Sequence, residues 1–257
     1  MRAVVVRAFG GPELLCLAEV AEPVPGAGQV RVAVRAAGVN PVDAGNRADG
    51  SWAGLSLPCI LGYDVAGVID SVGPGVTGLT PGQPVMAMTH FRDGAGGYAE
   101  MAVIDAGLAA PIGPAVTFVA AAATPLAAGT AGDLLARLVL PPGSTLLVLG
   151  GSGGVGLFVV QLAAAAGITV IGVGRQAMHE RMLALGATAC IDYTREDIAA
   201  SAVAAAGGSV DAIADLVGGT AAAGALPALR QGGQIGAIAT PALDLSQVLD
   251  ENITFHP

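Results

Sequence analysis

The 257-residue sequence predicts an α/β protein with an all-β, partly barrel-like first half and a doubly wound parallel sheet in its second half. Three observations carry this reading. Residues 148–156 read Val-Leu-Gly-Gly-Ser-Gly-Gly-Val-Gly, an apolar strand end running into a glycine turn that opens an apolar helix. Beyond residue 122, short apolar runs alternate with helical stretches. Before it, short β-like runs are punctuated by Gly and Pro. The change of texture divides the chain into domains of residues 1–122 and 123–257.

In chain order, the strand candidates of the first domain are 3–8, 30–36, 65–72, 85–88 and 98–104. Turns such as Pro23-Val24-Pro25-Gly26 and Pro81-Gly82 separate them. In the second domain they are 145–149, 169–173, 189–192, 211–216, 234–239 and 252–255, with helices between most of them. Six strands with crossover helices fit a doubly wound sheet. The helix at 155–166 is ended by Gly167. Thr194, three residues before Asp197, reads as a helix N-cap with an acidic first turn. Pro227 is expected to disturb or kink a helix over 221–230. There are no internal repeats and no linker long enough to uncouple the halves.

Composition narrows the function. Hydrophobic residues make up 53% of the chain and charged residues 12%, which supports a substantial core and excludes disorder. All 11 basic residues are Arg, so lysine Schiff-base and lysine general-base chemistry are unavailable. A net charge of −9 argues against nucleic acid as a partner. Cys16, Cys59 and Cys190 form no C-x-x-C, which indicates neither a disulfide framework nor a zinc knuckle. Reduced thiols and no visible secretory signal fit a cytoplasmic protein. The apolar stretch near 115–135 is broken by Pro125, Gly129, Gly132 and Asp133, too often for a membrane span. His90, His179 and His256 share no motif, so no metal site is expected.

Gly151, Gly153 and Gly156 fit G-x-G-x-x-G between a strand and a helix. The first glycine permits the turn, the second lets backbone approach a pyrophosphate, and the third lets helix and strand pack closely. With Ser152, Gly154 and Val155 they form a candidate dinucleotide site facing free N–H groups at the helix start. The alternative is a glycine-rich turn without a ligand. The second strand runs through Val173 into Gly174 and Arg175, with no carboxylate at its tip. A cation there accommodates a 2′-phosphate, so the expected cofactor is NADP(H); the alternative is a solvated surface Arg. Asp192 lies too far along to serve the ribose. Tyr193 beside it stacks on adenine or bonds the phosphate, unless it is simply structural.

Several separate stretches agree on a family. They are Arg35-Ala36-Ala37-Gly38-Val39-Asn40-Pro41-Val42-Asp43, Leu57-Pro58-Cys59-Ile60-Leu61-Gly62-Tyr63-Asp64-Val65-Ala66-Gly67, Gly96-Gly97-Tyr98-Ala99-Glu100, Pro125-Leu126-Ala127-Ala128-Gly129-Thr130, the glycine turn and Asp215-Leu216-Val217-Gly218-Gly219. Across essentially its whole length the chain resembles the zinc-independent medium-chain reductases of the quinone oxidoreductase (ζ-crystallin-like) branch. The resemblance implies an N-terminal GroES-like domain, a Rossmann nucleotide-binding domain and a cleft between them. Zinc members of the superfamily carry Cys where Asn40 stands and His where Tyr63 stands, so metal ligands are absent here.

By the same resemblance Asn40 faces substrate near the nicotinamide, although it also reads as a turn Asn before Pro41. Tyr63 supplies either a hydroxyl or a pocket wall, and Asp43 orients its neighbours. Thr130 lies near the nicotinamide ribose and phosphates, Gly218 offers a backbone contact, and Ala239 lies under the nicotinamide. The last strand is expected to be a sheet edge that pairs in a homodimer. The chain stops soon after that strand, which reads as truncation or as a shortened natural variant.

The function expected is NADPH-dependent hydride transfer to a quinone or an α,β-unsaturated carbonyl compound, with no dedicated proton donor evident. One alternative is an enoyl-thioester reductase, for which Arg47 and Arg92 are the candidates for a basic groove. Another is a non-catalytic, crystallin-like NADPH-binding protein. A zinc alcohol dehydrogenase is the remaining option.

Overall fold

A computed structural model of the chain describes residues 1–90 and 96–257. They divide into two compact units, Met1–Leu126 and Ala127–Pro257.

Alternating apolar residues build the first unit from antiparallel strands. Strand β1 (Arg2–Val6) lies between β2 (Leu15–Glu19) and β4 (Cys59–Ile60). A second, five-stranded sheet contains β3 (Gln29–Ala37), β5 (Asp64–Val72), β6 (Pro84–Met88), β7 (Met101–Asp105) and β8 (Ala109–Pro111), in the order β7-β3-β5-β6-β8. Val30, Val32, Val65, Ile69, Val85, Ala87, Ala102 and Ile104 form its core. Helix α1 (Pro41–Ala48) follows β3, and Ala121 and Ala122 of α2 (Phe118–Ala122) pack on Ala66.

The second unit is a six-stranded parallel sheet. Its strands are β9 (Thr145–Leu149), β10 (Thr169–Val173), β11 (Ala189–Ile191), β12 (Val210–Asp215), β13 (Leu229–Ala237) and β14 (Thr254–His256). Their order is β11-β10-β9-β12-β13-β14, so the direction of winding reverses between β9 and β12. Burial of both faces follows from the strand pleat. Leu146 and Val148 enter one core with Val159, Val160 and Ala163, whereas Leu147 and Leu149 enter the opposite core with Ile171, Ile213 and Ile235. The helices are α3 (Pro125–Leu138), α4 (Gly154–Ala165), α5 (His179–Ala184), α6 (Ile198–Ala206), α7 (Ala221–Ala225) and α8 (Leu245–Asp250). Among the described residues, no helix is long and apolar enough to cross a membrane.

Several local expectations are corrected. The strand expected at 3–8 ends at Val6, where its pairing with Leu15 and Cys59 stops. The run expected at 98–104 enters the sheet only at Met101, because Tyr98 and Ala99 pair with Val4 and Ala3 of β1 instead. Thr194 is not an N-cap. Asp197 caps α6, accepting the Ala200 N–H at 2.8 Å, while Thr194 donates its N–H and hydroxyl to Asp192 at 3.0 and 2.7 Å. A carboxylate nearer the helix start supplies the acceptor, so the hydroxyl is free to close a turn after β11. The helix expected over 221–230 stops at Ala225. A 3₁₀ turn at Leu226–Ala228 holds Pro227, which has no N–H to continue the ladder, and β13 begins at Leu229.

Asp211 ties three strands together. Its carboxylate accepts the Thr145 N–H and the Arg230 Nε–H, each at 2.8 Å. Burial pushes this carboxyl up, but those two donors more than offset it, and the group sits below its ordinary value. A depressed native pKa contributes stability above the unfolded value of about 3.9, and that stability is lost as pH falls through the native value. Asp211→Asn is therefore expected to cost about 1 kcal/mol at pH 7, with the difference from wild type disappearing in acid, at a pH below the native value. Denaturant unfolding at the two pH values measures this; an equal gap at both would contradict it.

Candidate functional site

In the second unit, the glycine turn leaves β9 at the point where the sheet reverses. Gly150 has φ +77°, the left-handed region that favours glycine. The Gly151 N–H bonds Val173 O of β10 at 2.9 Å, and the Gly153 N–H bonds Gly150 O at 3.0 Å. Gly153 is the N-cap of α4 and has no side chain to close it. The first N–H groups of the helix, from Gly154, Val155 and Gly156, therefore have no intrahelical acceptor. A Cβ on Gly156 would lie 2.2 Å from Gly150 O, so the third glycine is required by backbone contact.

The tip of β10 meets this turn. A Cβ on buried Gly174 would stand 2.8 Å from Ser152 Oγ. Arg175 is exposed, and its Nε–H donates to the Tyr193 hydroxyl at 3.1 Å. The two residues named separately from sequence thus form one pair. Asp192 orients this corner by accepting the Gln176 N–H at 3.3 Å, and the Thr194 hydroxyl and N–H hold its carboxyl below the ordinary value. Arg195, which sequence reasoning missed, donates to Gln176 Oε1 at 3.1 Å. It adds a second cation to the same corner.

The tips of β12 and β13 complete this side. Buried Asp215 accepts the Val217 and Gly218 N–H groups on one oxygen, at 3.0 and 2.9 Å. Gly218 has φ +78°, and a Cβ there would lie 2.9 Å from Ala239 Cβ. A Cβ on Gly150 would be 3.0 Å from Val217, so the glycine turn adjoins this loop. Thr130 is half-buried on α3, one turn before Leu134, whose side chain lies against Gly236 of β13.

In the first unit, the second constellation centres on Asn40. Pro41 occupies the first turn of α1, where a missing N–H does no harm, and Asn40 is the N-cap. The Asn40 N–H donates to Asp43 Oδ2 and its Nδ2 donates to Asp64 Oδ2, both at 2.8 Å. Asp43 also accepts the Gly62 N–H at 3.1 Å, linking α1 to the segment that carries Tyr63. Asp64 accepts the Leu126 N–H at 2.8 Å.

Burial pushes both carboxyls up, against the pull of these donors, and the charge of Asp43 raises Asp64 further. Tyr63 is only 5% exposed, and its hydroxyl accepts the Asn46 Nδ2–H at 2.6 Å. Burial raises the phenol of Tyr63, and burial with the charge of Asp43 raises that of Tyr98. Asp64, Asn46 and Tyr98 had no sequence-derived role, although Asp64 directly follows Tyr63.

Among the described residues, no group of three or more His, Cys, Asp and Glu could hold a metal ion. Arg47 is half-buried, and Arg92 lies outside the described residues.

Comparisons with known proteins give the family and the fold. The alcohol dehydrogenase GroES-like domain matches residues 26–114, and the zinc-binding dehydrogenase domain matches residues 154–256. A quinone oxidoreductase from Lama guanicoe is 34% identical over 239 residues, which are 91% of this chain and 72% of that protein.

The chain belongs to the quinone oxidoreductase family of medium-chain reductases.

Quinone oxidoreductase from Rattus norvegicus is 40% identical over 174 residues, 67% of this chain and 52% of that protein. NADPH-dependent alkenal/one oxidoreductase from Arabidopsis thaliana is 37% identical over 212 residues, 77% and 54% of the two chains. The chain spans about half the length of these two relatives. Among solved structures, an alcohol dehydrogenase superfamily protein from Novosphingobium aromaticivorans superposes with a TM-score of 0.92 at 34% identity, covering 99% of this chain and 78% of that one. A mycobacterial protein in complex with NADPH gives 0.88 at 29% identity, covering 100% and 81%. The fold is that of this oxidoreductase family, a GroES-like domain followed by a Rossmann sheet.

Proposed function

We propose that this protein is an NADPH-dependent reductase of quinones or α,β-unsaturated carbonyl compounds. Residues 1–122 position the acceptor and residues 123–257 hold the nucleotide. The observation that carries the proposal is the uncapped glycine cradle at the sheet reversal, with Arg175 and Tyr193 at the neighbouring strand tip. The cradle fits a pyrophosphate, because its third glycine leaves no room for a side chain and the helix N–H groups lack partners.

The N–H groups of Ser152, Gly154, Val155 and Gly156 hold the pyrophosphate, on a bend that Gly151 and Gly153 close with their own N–H groups. Gly174 leaves room beside Ser152, while Arg175 and Tyr193 bind the 2′-phosphate and select NADP(H). Thr130, Gly218 and Ala239 bound the nicotinamide end. Nicotinamide supplies hydride chemistry when bound. Asn40 donates its second Nδ2–H to the oxygen that gains charge on the acceptor. Tyr63, whose hydroxyl is engaged by Asn46, forms the wall behind it. Solvent protonates the product.

The reading places the protein in the cytoplasm, with three free cysteines. Among the described residues β14 pairs with β13 alone, and such an edge fits a homodimer. Names of the relatives support the acceptor class: quinone oxidoreductase and alkenal/one oxidoreductase.

Steady-state NADPH oxidation against a panel of quinones and enones tests the proposal. Turnover of at least one acceptor without added metal is expected. Tight NADPH binding with no turnover of any acceptor would overturn it in favour of a non-catalytic binding protein.

A further inference from the structure

Asp64 is almost fully buried, at 1% exposure, and both of its carboxylate oxygens are engaged by donors. Oδ1 takes the Leu126 N–H, and Oδ2 takes Asn40 Nδ2–H, each at 2.8 Å. Surrounding backbone is fitted to it. The Gly38 N–H donates to Asp64 O at 2.9 Å, and a Cβ on Gly38 would stand 2.8 Å from Asp64 Cβ and 3.1 Å from Oδ2. A side chain at residue 38 would therefore collide with the group that holds Asn40.

A carboxylate only accepts hydrogen bonds, whereas a primary amide presents an acceptor at one end and two donors at the other. The amide of Asn40 can turn over about its last torsion and exchange the two ends. Its backbone N–H is held by Asp43 in a capping box that also turns the Asn40 side-chain oxygen toward the Asp43 N–H. Its amide nitrogen is held by Asp64. We infer that Asp64 is a positioning residue, whose carboxylate locks the Asn40 amide in one flip and so fixes where its remaining N–H is offered to the acceptor.

The consequence for catalysis rests on the reductase reading above; the orientation of the amide does not. Asp64→Asn keeps the shape and removes the acceptor-only character. The new side chain can keep the Leu126 N–H on its oxygen, and then turns an NH₂ toward Asn40. That reverses the Asn40 amide and withdraws the N–H from the acceptor oxygen. Losing one such donor lowers kcat about 100-fold.

Two measurements on the full-length chain decide the matter. The sequence holds three Asn, at 40, 46 and 252, so selective ¹⁵N-Asn labelling gives three side-chain NH₂ pairs. In the wild type, the Asn40 proton bonded to Asp64 is expected to exchange with solvent at least about ten-fold more slowly than its geminal partner. In Asp64→Asn that difference is lost. Equal exchange of the two protons in the wild type would overturn the inference, even where the variant fails to fold.

The second measurement is a double-mutant cycle on quinone turnover. Asp64→Asn is expected to lower kcat about 100-fold with NADPH affinity unchanged, and to add less than about two-fold when Asn40 is already Ala. A full additional loss in the Asn40→Ala background, or no effect in the wild type, would overturn the inference. Should the wild type turn over no acceptor, the reductase reading fails and the exchange rates alone decide the role of Asp64.

Discussion

Replacing Gly156 by alanine is expected to lower stability by about 3 kcal/mol and to abolish nucleotide binding. The added Cβ would lie 2.2 Å from Gly150 O and 2.7 Å from Cα and the carbonyl carbon of Gly151. All three are backbone atoms, so no rotamer change relieves the contact. Either the turn opens or α4 shifts away from β9. Opening breaks the bonds from Gly151 N to Val173 O and from Gly153 N to Gly150 O, which aim the amides. Shifting α4 unpacks Val159, Val160 and Ala163 from Leu146 and Val148.

Gly154→Ala is the matched control. Nothing lies within 4 Å of a Cβ there, and alanine favours a helix by up to about 1 kcal/mol. Thermal unfolding should place the midpoint of Gly156→Ala roughly 6–12 °C below wild type, with the control at or above wild type. Equal midpoints for the two variants, with nucleotide binding retained, would remove the steric argument.

Arg175→Ala is expected to weaken NADPH binding by about 10–100-fold and to leave NADH binding unchanged within about two-fold. Tyr193 engages Nε of the exposed Arg175, and a guanidinium held this way still has terminal N–H donors that can receive a phosphate. Asp192 holds the loop below them through Gln176, and Arg195 bonds the Gln176 side chain. A residual preference for NADPH in Arg175→Ala should therefore fall further in Arg175→Ala/Arg195→Ala. Fluorescence titration of both nucleotides at one fixed ionic strength measures these ratios, because exposed charge contacts are screened by salt. Equal losses for NADPH and NADH would contradict the 2′-phosphate assignment.

How much of this was legible in the sequence depends on the range of the interaction concerned. The step from β9 through the glycine turn to α4 is local, and the spacing of Gly151, Gly153 and Gly156 announces it. The parallel sheet of the second unit follows from the alternation of strands and helices. Helix α1 escaped because Pro41 and Gly45 weaken its helical pattern, although Asn40 before Pro41 is a start signal. Strands β4 and β8 have two and three residues, too few to display a period, and β2 is largely exposed.

The site divides the same way. Arg175 and Tyr193 were each visible, but their pairing needs the parallel register that sets Val173 beside Ile191, so that the residues two further on stand together. The role of Asp64 was hidden because its partners lie 24 and 62 residues away. Buried polar contacts over such separations leave no periodic trace.

The most direct measurement is a crystal structure of the full chain grown with NADPH. Pyrophosphate oxygens are expected within hydrogen-bond distance of the backbone N–H groups of Ser152, Gly154, Val155 and Gly156, with the 2′-phosphate against Arg175. Nucleotide bound elsewhere, or none at the bend under saturating NADPH, would contradict the assignment.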